Sequence, residues 1–134
     1  MKLKRITPDL FAHYWGNVER FIADALSHDQ GEFTLEQVKV YLSTGEWTLL
    51  GVFEGEEVVG AFVLQFVNYP NYRIAILVAT GGKGIFDKEL NVSFEAFVKS
   101  KGATKIRGFV RDSMVRLSNR FGYEKVYNVV EKQI

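Results

Sequence analysis

Three strand-like segments follow one another between Thr48 and Ala79, and only short turns separate them. The segments are rich in Val, Leu, Ile and Phe, whereas residues 54–56 and 68–71 combine Gly, Pro, Asn and acidic side chains as turns do. Such short connections join antiparallel neighbours. The stretch from 79 to 105 instead holds a helical pattern between two strands, the length that a parallel crossover requires. The chain is therefore restricted to mixed sheets covered by helices.

The other elements flank this central region. Residues 2–6 alternate as a short strand, and two amphipathic helices follow before Thr48, the second opened by a capping box at Thr34 and Gln37. After a strand from Lys105 to Val110, a helix is predicted over Arg111–Phe121 and a last strand over Tyr123–Val130. The predicted order is β-α-α-β-β-β-α-β-α-β in one domain, residues 1–134. The fold class is α+β, a mostly antiparallel central sheet with one parallel crossover.

Composition excludes several classes of function. The 134 residues contain no Cys, which rules out disulfides, thiolate nucleophiles and Cys-ligated zinc. A net charge of +1 does not suggest a general nucleic-acid binder, and two separated His residues make no metal site. No apolar run suits a signal peptide or a membrane span. We therefore expect a cytoplasmic protein without a metal or a membrane contact.

The charges are unevenly distributed along the chain. Between Asp24 and Glu57 acidic residues greatly outnumber basic ones, and between Lys101 and Lys125 the balance reverses. Two solvated faces of opposite sign would explain this distribution. Alternatively, a cationic ligand lies near the first region and an anionic ligand near the second. The arginines of the second region allow the same alternatives, and they are Arg107, Arg111, Arg116 and Arg120.

A glycine-rich turn joins the third strand of the meander to the next helix. It reads Gly81-Gly82-Lys83-Gly84. Backbone N–H groups in such a turn, together with the helix dipole, favour an anion such as a phosphate. Glycine permits the positive φ and the close approach that this arrangement needs. A tight turn without a ligand is the alternative.

Three segments resemble the GNAT N-acetyltransferase family, and the element order agrees with that family over nearly the whole chain. The hairpin at residues 51–60 resembles the family's second and third strands. Residues 82–85 resemble the core of its coenzyme A loop, and residues 116–123 resemble its late helix, which ends in a Gly-aromatic pair. The resemblance implies transfer of an acyl group from acetyl-CoA to an amine of a small molecule or a peptide. It leaves open whether the chain is a monomer or a homodimer.

The resemblance also implies site residues. The candidates for cofactor binding are backbone and loop positions, namely Leu77, Val78, Ala79, Gly82, Lys83, Gly84 and Ile85. The family's catalytic acid falls on Ser118 here, and the candidates to replace it are Tyr123 and Tyr127 on the following predicted strand. The candidates for the base are Glu32 and His28, with Asp29 in the same connection. The acidic connection would suit a cationic amine.

Three positions depart from the family pattern. Gly81 stands where the family has Arg or Gln, and Phe86 stands where it has a small residue. Ser118 stands where many members have the Tyr that acts as the catalytic acid. These departures support a second hypothesis, a GNAT-fold binding or assembly protein that has lost coenzyme A binding and catalysis. A third hypothesis is a homodimer whose interface includes Tyr69 and Tyr72.

Overall fold

The structure is a computed structural model that describes residues 1–134, and it contains a five-stranded sheet in the order β1-β2-β3-β4-β5. The strands are β1 (Lys2–Ile6), β2 (Thr48–Glu54), β3 (Glu57–Asn68), β4 (Arg73–Gly82) and β5 (Lys105–Gly108). The helices are α1 (Phe11–Leu26), α2 (Leu35–Ser43), α3 (Lys88–Ser100) and α4 (Asp112–Asn119). A 3-10 turn at Pro8–Leu10 leads into α1.

The strand pairing confirms the predicted mixed sheet. The first four strands are antiparallel to their neighbours, and β4 and β5 are parallel with α3 as the crossover. The parallel pairing is short, because it joins Ile74–Leu77 only to Lys105–Gly108. Beyond Leu77, β4 continues to Gly82 without a neighbour on that side.

Helices cover both faces of the sheet. Helices α1 and α2 bury Val18, Ile22 and Val38 against one face of the sheet. Helix α3 buries Leu90, Phe94 and Val98 against the other. At about 25 cal/mol per Å² of apolar surface, these two layers supply the main driving force for folding. The predicted capping box is confirmed, since Thr34 Oγ1 accepts from the Gln37 N–H and the Gln37 side chain accepts from the Thr34 N–H.

Strand β4 is longer than predicted and includes Gly81 and Gly82. A Cβ atom on Gly81 would lie 2.4 Å from the backbone oxygen of Phe21 in α1. A Cβ atom on Gly60 of the adjacent strand would lie 2.4 Å from the backbone oxygen of Lys83. Glycine at these positions therefore allows α1, β3 and the end of β4 to pack closely. This close packing explains why position 81 does not carry a long side chain.

The last strand was predicted wrongly. Residues after Asn119 form no helix or strand, and the predicted helix over Arg111–Phe121 is shortened to α4. Val126, Val129 and Val130 are exposed. A strand requires a hydrogen-bonded neighbour, and β5 offers only four residues beside this segment. Its β-branched side chains therefore have strand propensity without a pairing partner.

Candidate functional site

The outer edge of β4 loses its neighbouring strand after Leu77. The pairing of β4 with β5 ends at Leu77 and Gly108, so the outer edge of β4 from Val78 onward has no neighbouring strand. On the other side of β4, Leu64 pairs with Leu77 and Val63 pairs with Ala79, which leaves Val78 opposite no residue. Val78 is thus the extra residue of a β-bulge, a feature that turns backbone groups out of the ladder. N–H groups released in this way can polarise a carbonyl oxygen.

The turn before α3 also offers free backbone donors. The Lys83 N–H donates to the Val59 oxygen at 2.8 Å, and the Asp87 N–H donates to the Gly84 oxygen at 3.1 Å. The N–H groups of Gly84, Ile85 and Phe86 donate to no backbone carbonyl. Gly84 has a positive φ of 95°, the conformation that such turns require. Three free amides beside a helix start favour an anion.

Asp87 opposes that preference. Its carboxylate accepts from the Leu90 N–H at 2.8 Å, so a negative side chain already caps α3. Its main-chain oxygen accepts from the Asn91 amide group at 2.7 Å. The loop glycines also have packing reasons, because a Cβ on Gly84 would lie 2.7 Å from Leu90 Cδ2 and one on Gly82 would lie 2.4 Å from the Val59 oxygen. The turn therefore supplies anion-binding amides, a competing carboxylate and structurally required glycines.

Lys83 faces a different environment from the free amides. With Arg20, Asp24 and Glu57 it lines an open pocket of about 480 Å³ between α1 and the start of β3. Gly82 contributes to the same pocket. Because this pocket holds two cations and two carboxylates, Lys83 is not part of a uniformly positive surface. Its ammonium group is free to turn toward an anion at the end of β4.

His28 lies close to the residue that precedes α4. Arg111 Nη2 donates to His28 Nδ1 at 2.9 Å. Because a guanidinium has no acceptor, this geometry gives His28 its lone pair on Nδ1 and its proton on Nε2. The contact joins the end of α1 to the start of α4. A base at His28 would require the Nδ1 lone pair to be released by Arg111.

The acidic connection after α1 contains two interacting carboxyl groups. Partial burial raises the pKa of Asp29 above its ordinary value, the negative charge of Glu32 raises it further, and His28 opposes both effects. The structure therefore brings His28, Asp29 and Glu32 into one electrostatic group, as the sequence predicts for a surface connection. A carboxyl with a raised pKa is a better proton acceptor once it is ionised.

Tyr123 lies apart from that group. Burial, and secondarily the charge of Glu95, raise the pKa of Tyr123 to about 12. Its N–H donates to the Ser118 oxygen at 3.2 Å, just beyond the end of α4. Arg111 precedes α4, and an eight-residue helix is about 12 Å long, so Tyr123 and His28 lie at opposite ends of it. The structure does not bring Tyr123 together with the two candidates for the base.

Ser118 has a role within its own helix. Its hydroxyl donates to the Met114 oxygen at 2.9 Å, one turn earlier in α4. A Ser hydroxyl engaged in this way is not poised to deliver a proton. The position that departs from the family pattern therefore has a local structural use.

Sequence reasoning considered Tyr72 only as part of a dimer interface, and it treated Arg107 as one member of a basic run. Arg107 Nη2 donates to the Tyr72 hydroxyl at 3.3 Å. The only sequence signal for this pair is the alternation of Lys105 and Arg107 around Ile106, which places both cations on one face of β5. The structure contains no group of three or more His, Cys, Asp or Glu residues arranged to hold a metal ion. None of its helices has both the length and the apolar character to cross a membrane.

Comparison with known proteins identifies the fold. No protein-family model and no curated protein matches the sequence. Solved structures do match, including an aminoglycoside acetyltransferase from an uncultured soil metagenomic sample in complex with sisomicin. That structure has 11% identity and a TM-score of 0.71, with 99% of this chain and 94% of that chain covered.

Two further structures agree with that match. A possible acetyltransferase from Clostridium difficile has 12% identity and a TM-score of 0.71, covering 99% of this chain and 97% of that chain. Glucosamine-6-phosphate N-acetyltransferase from Arabidopsis thaliana has 11% identity and a TM-score of 0.66, covering 98% and 97%. The predicted resemblance is therefore confirmed at the level of structure, and this chain has the fold of the GNAT acetyltransferases.

Proposed function

We propose that this chain is an N-acyltransferase that moves an acyl group from an acyl-CoA thioester to an amine. The observation that carries the proposal is the separation of β4 from β5 directly at the Val78 bulge. It combines an unpaired strand edge with backbone groups turned out of the ladder. The extended chain of a thioester could form hydrogen bonds with that edge while its carbonyl oxygen accepts from a bulge amide.

The proposed cofactor site uses backbone more than side chains. Leu77, Val78 and Ala79 would hold the acyl group and the adjacent chain of the cofactor. The turn after β4 would hold the phosphates through the free amides of Gly84 and Ile85, with Gly82 shaping the turn and Lys83 supplying a charge. Bound acetyl-CoA supplies an acyl group already activated as a thioester. The free amides fit the phosphates, whereas the Phe86 ring and the Asp87 carboxylate must be accommodated beside them.

Two proton transfers accompany the reaction, and both occur at one carbon, because the attacking nitrogen and the departing sulfur are bonded to the same acyl atom. Tyr123 would give a proton to the sulfur as the carbon–sulfur bond breaks. Glu32 or His28, which lie apart from Tyr123, would take the proton that the amine loses as its bond to the acyl carbon forms, through intervening water. A pKa of about 12 keeps the Tyr123 hydroxyl protonated at neutral pH and makes it a weaker acid than an ordinary tyrosine.

The acceptor that we propose is an amine of a small molecule or a peptide. Two proteins of this fold are named for small amine-bearing molecules, an aminoglycoside and glucosamine-6-phosphate. Both acceptors would reach the acyl group directly, so proximity rather than a covalent enzyme intermediate would accelerate the reaction.

Titration calorimetry with acetyl-CoA and with coenzyme A tests the proposal. We expect binding with a dissociation constant below 1 mM, which corresponds to about −4 kcal/mol or better. Val78→Pro removes the bulge N–H and should abolish transfer, whereas Val92→Ala on the exposed side of α3 should leave it unchanged. Absence of binding at millimolar ligand would refute the proposal.

A binding protein without catalysis is the second candidate. The Phe86 ring contacts the Phe121 ring with 5.9 Å between their centroids, next to the free amides. The Asp87 carboxylate caps the helix end where the cofactor phosphates would bind. Both contacts would weaken coenzyme A binding, and measuring coenzyme A binding by the Phe86→Gly variant distinguishes the two candidates.

A further inference from the structure

Arg107 lies in a group of aromatic and basic side chains beside the paired part of β4 and β5. Its Nη2 donates to the Tyr72 hydroxyl at 3.3 Å, and its guanidinium carbon is 5.6 Å from the centre of the Tyr127 ring. Lys105 Nζ lies 4.0 Å from the centre of the Tyr72 ring. Tyr72 in turn contacts Tyr69, with 5.4 Å between the ring centres. We call these five residues the Arg107 cluster.

The Arg107 cluster has no negative group of its own. The groups that act electrostatically on Arg107 are the hydroxyls of Tyr72, Tyr127 and Tyr69, and no carboxylate is among them. Tyrosine hydroxyls are neutral at physiological pH, so none of these groups neutralises the charge of Arg107. Tyr72 accepts from one Nη2–H group only, and the planar guanidinium keeps donors for a second partner.

The cluster and the Val78 bulge lie on the same face of the sheet. Ile106 packs into the core under α3, so its neighbours Lys105 and Arg107 point to the opposite face. Val78 packs against the core under α1 and α2, which is that opposite face.

The two features are also close along the sheet. Arg107 pairs with Ile76, two residues before Val78 on β4. With a rise of about 3.3 Å per residue, their backbones are about 7 Å apart along the strand direction. Lys105 and Tyr72 lie farther from the bulge, since Lys105 pairs with Ile74 and Tyr72 precedes β4. A molecule held at the bulge by one end would therefore meet Arg107 first with the other.

We propose that Arg107 binds an anionic group on the acyl acceptor, so that the preferred acceptors are amines carrying a carboxylate or a phosphate at their far end. This inference rests on the proposed N-acyltransferase function and names the class of its substrate. Lys105 adds a second positive charge, and Tyr72 is a positioning residue that holds the guanidinium through its hydroxyl. A carboxylate or phosphate would form paired charge-assisted hydrogen bonds with Arg107.

Acyl transfer to acceptors of equal length tests the proposal. With acetyl-CoA as donor, we would compare hexylamine and 1,6-diaminohexane with 6-aminohexanoate and 6-aminohexyl phosphate. We expect kcat/KM for the two anionic acceptors to exceed that for hexylamine roughly tenfold or more. Arg107→Gln should remove that advantage, so that the two anionic acceptors react no faster than hexylamine. Arg5→Gln, an exposed change on β1, should alter neither value.

A second measurement separates the anion site from catalysis. Inorganic phosphate titrated into the full chain should shift the NMR signals of the Arg107 side chain, and Tyr72→Phe should weaken this shift. A shift without transfer to any amine would overturn the transferase function and retain the anion site. Transfer that is equal for all four acceptors, or that favours the diamine, would overturn the assignment of Arg107. No shift and no transfer would overturn both.

Discussion

The ring of Phe86 lies 5.9 Å from the ring of Phe121, measured between their centroids. Phe86 belongs to the turn that leads into α3, and Phe121 follows α4, so this contact joins two segments that are otherwise connected through β5. Phe86 nevertheless remains 46% exposed. The pair is held by one partly solvated contact beside the amides of Gly84 and Ile85. Such a contact can be removed with little effect on the core.

Replacing Phe86 by Gly is expected to strengthen coenzyme A binding. The change removes the ring next to the free amides and leaves the buried residues of α3 untouched. We expect an increase in affinity of roughly fivefold, since the ring contact to be broken by the ligand is worth about 1 kcal/mol. Calorimetric titration with coenzyme A measures it, and Val92→Ala, an exposed change on α3, is the control.

Equal affinity in the original chain and in Phe86→Gly would show that the ring does not obstruct the site. If neither protein binds coenzyme A, the binding-protein candidate is favoured over the transferase.

Replacing Gly81 by Ala is expected to destabilise the fold. The new Cβ atom would lie 2.4 Å from the Phe21 backbone oxygen, and a helix backbone cannot move away without disturbing the core. We expect a loss of about 2 kcal/mol in the free energy of unfolding, as for other overpacked positions. Chemical denaturation measures this loss.

Gly16→Ala is the matched control for this change. Gly16 lies in α1 with no atom within 4 Å of the added Cβ, so Ala should stabilise the helix by up to about 1 kcal/mol. Destabilisation of similar size at both glycines would contradict the close-packing explanation for Gly81.

The raised pKa of Tyr123 predicts a stability change at high pH. Its pKa is about 12 in the folded chain, against an ordinary value of 10.0, so the folded state holds this proton more tightly than the unfolded state. The resulting stabilisation is complete below pH 10 and is lost as the pH rises toward 12. The ionisation of Tyr123 thus lowers the stability between pH 10 and pH 12. Tyr123→Phe should lack this loss.

Phenolate absorbance during a pH titration measures the pKa directly. Glu95→Gln should lower the Tyr123 pKa only in part, because burial is the larger cause. Glu89→Gln, elsewhere on α3, should leave the pKa of Tyr123 unchanged. A Tyr123 that ionises near pH 10 in the folded chain would refute the burial of its hydroxyl.

The carboxyl pair after α1 predicts a shift in the opposite part of the pH range. Burial is the main cause that raises the Asp29 pKa above 3.8, and Glu32 is the second. Glu32→Gln should therefore lower the pKa of Asp29 without restoring the ordinary value. Carbon-detected NMR titration of the Asp29 carboxyl checks this, with Glu36→Gln as the control.

The same pair gives a stability prediction of defined sign. The folded state disfavours ionised Asp29, so its contribution to stability falls as the pH rises from 3.8 through the raised pKa. Asp29→Asn should thus be more stable than the original chain at neutral pH, by about 0.5 kcal/mol or less because the group is largely solvated. An equal difference at acidic and neutral pH would contradict the assignment.

Periodic features of the sequence predicted the sheet and its helices well. The meander from Thr48 to Ala79, the parallel crossover and the capping box at Thr34 depend on local residue patterns, and the structure contains all three. The acidic connection around Asp29 was also predictable, because surface loops between helices collect polar residues.

Features that depend on distant neighbours could not be predicted in the same way. Tyr127 and Val130 have the propensity of a strand, but whether they pair depends on an edge elsewhere in the fold. Arg107 and Tyr72 are 35 residues apart, and only the parallel register of β4 with β5 brings them together. Gly81 was interpreted by its position in a cofactor loop, whereas its neighbour Phe21 comes from α1.

The pairing of β1 with β2 has a consequence for the order of folding. Strands β2, β3 and β4 are joined by tight hairpins, whereas Ile6 pairs with Leu49 only after the whole of α1 and α2 has been enclosed. Closing that long loop costs entropy before it gains contacts. We therefore expect the meander to form the folding nucleus and β1 to dock late, so that mutations in β1 accelerate unfolding while leaving the folding rate nearly unchanged.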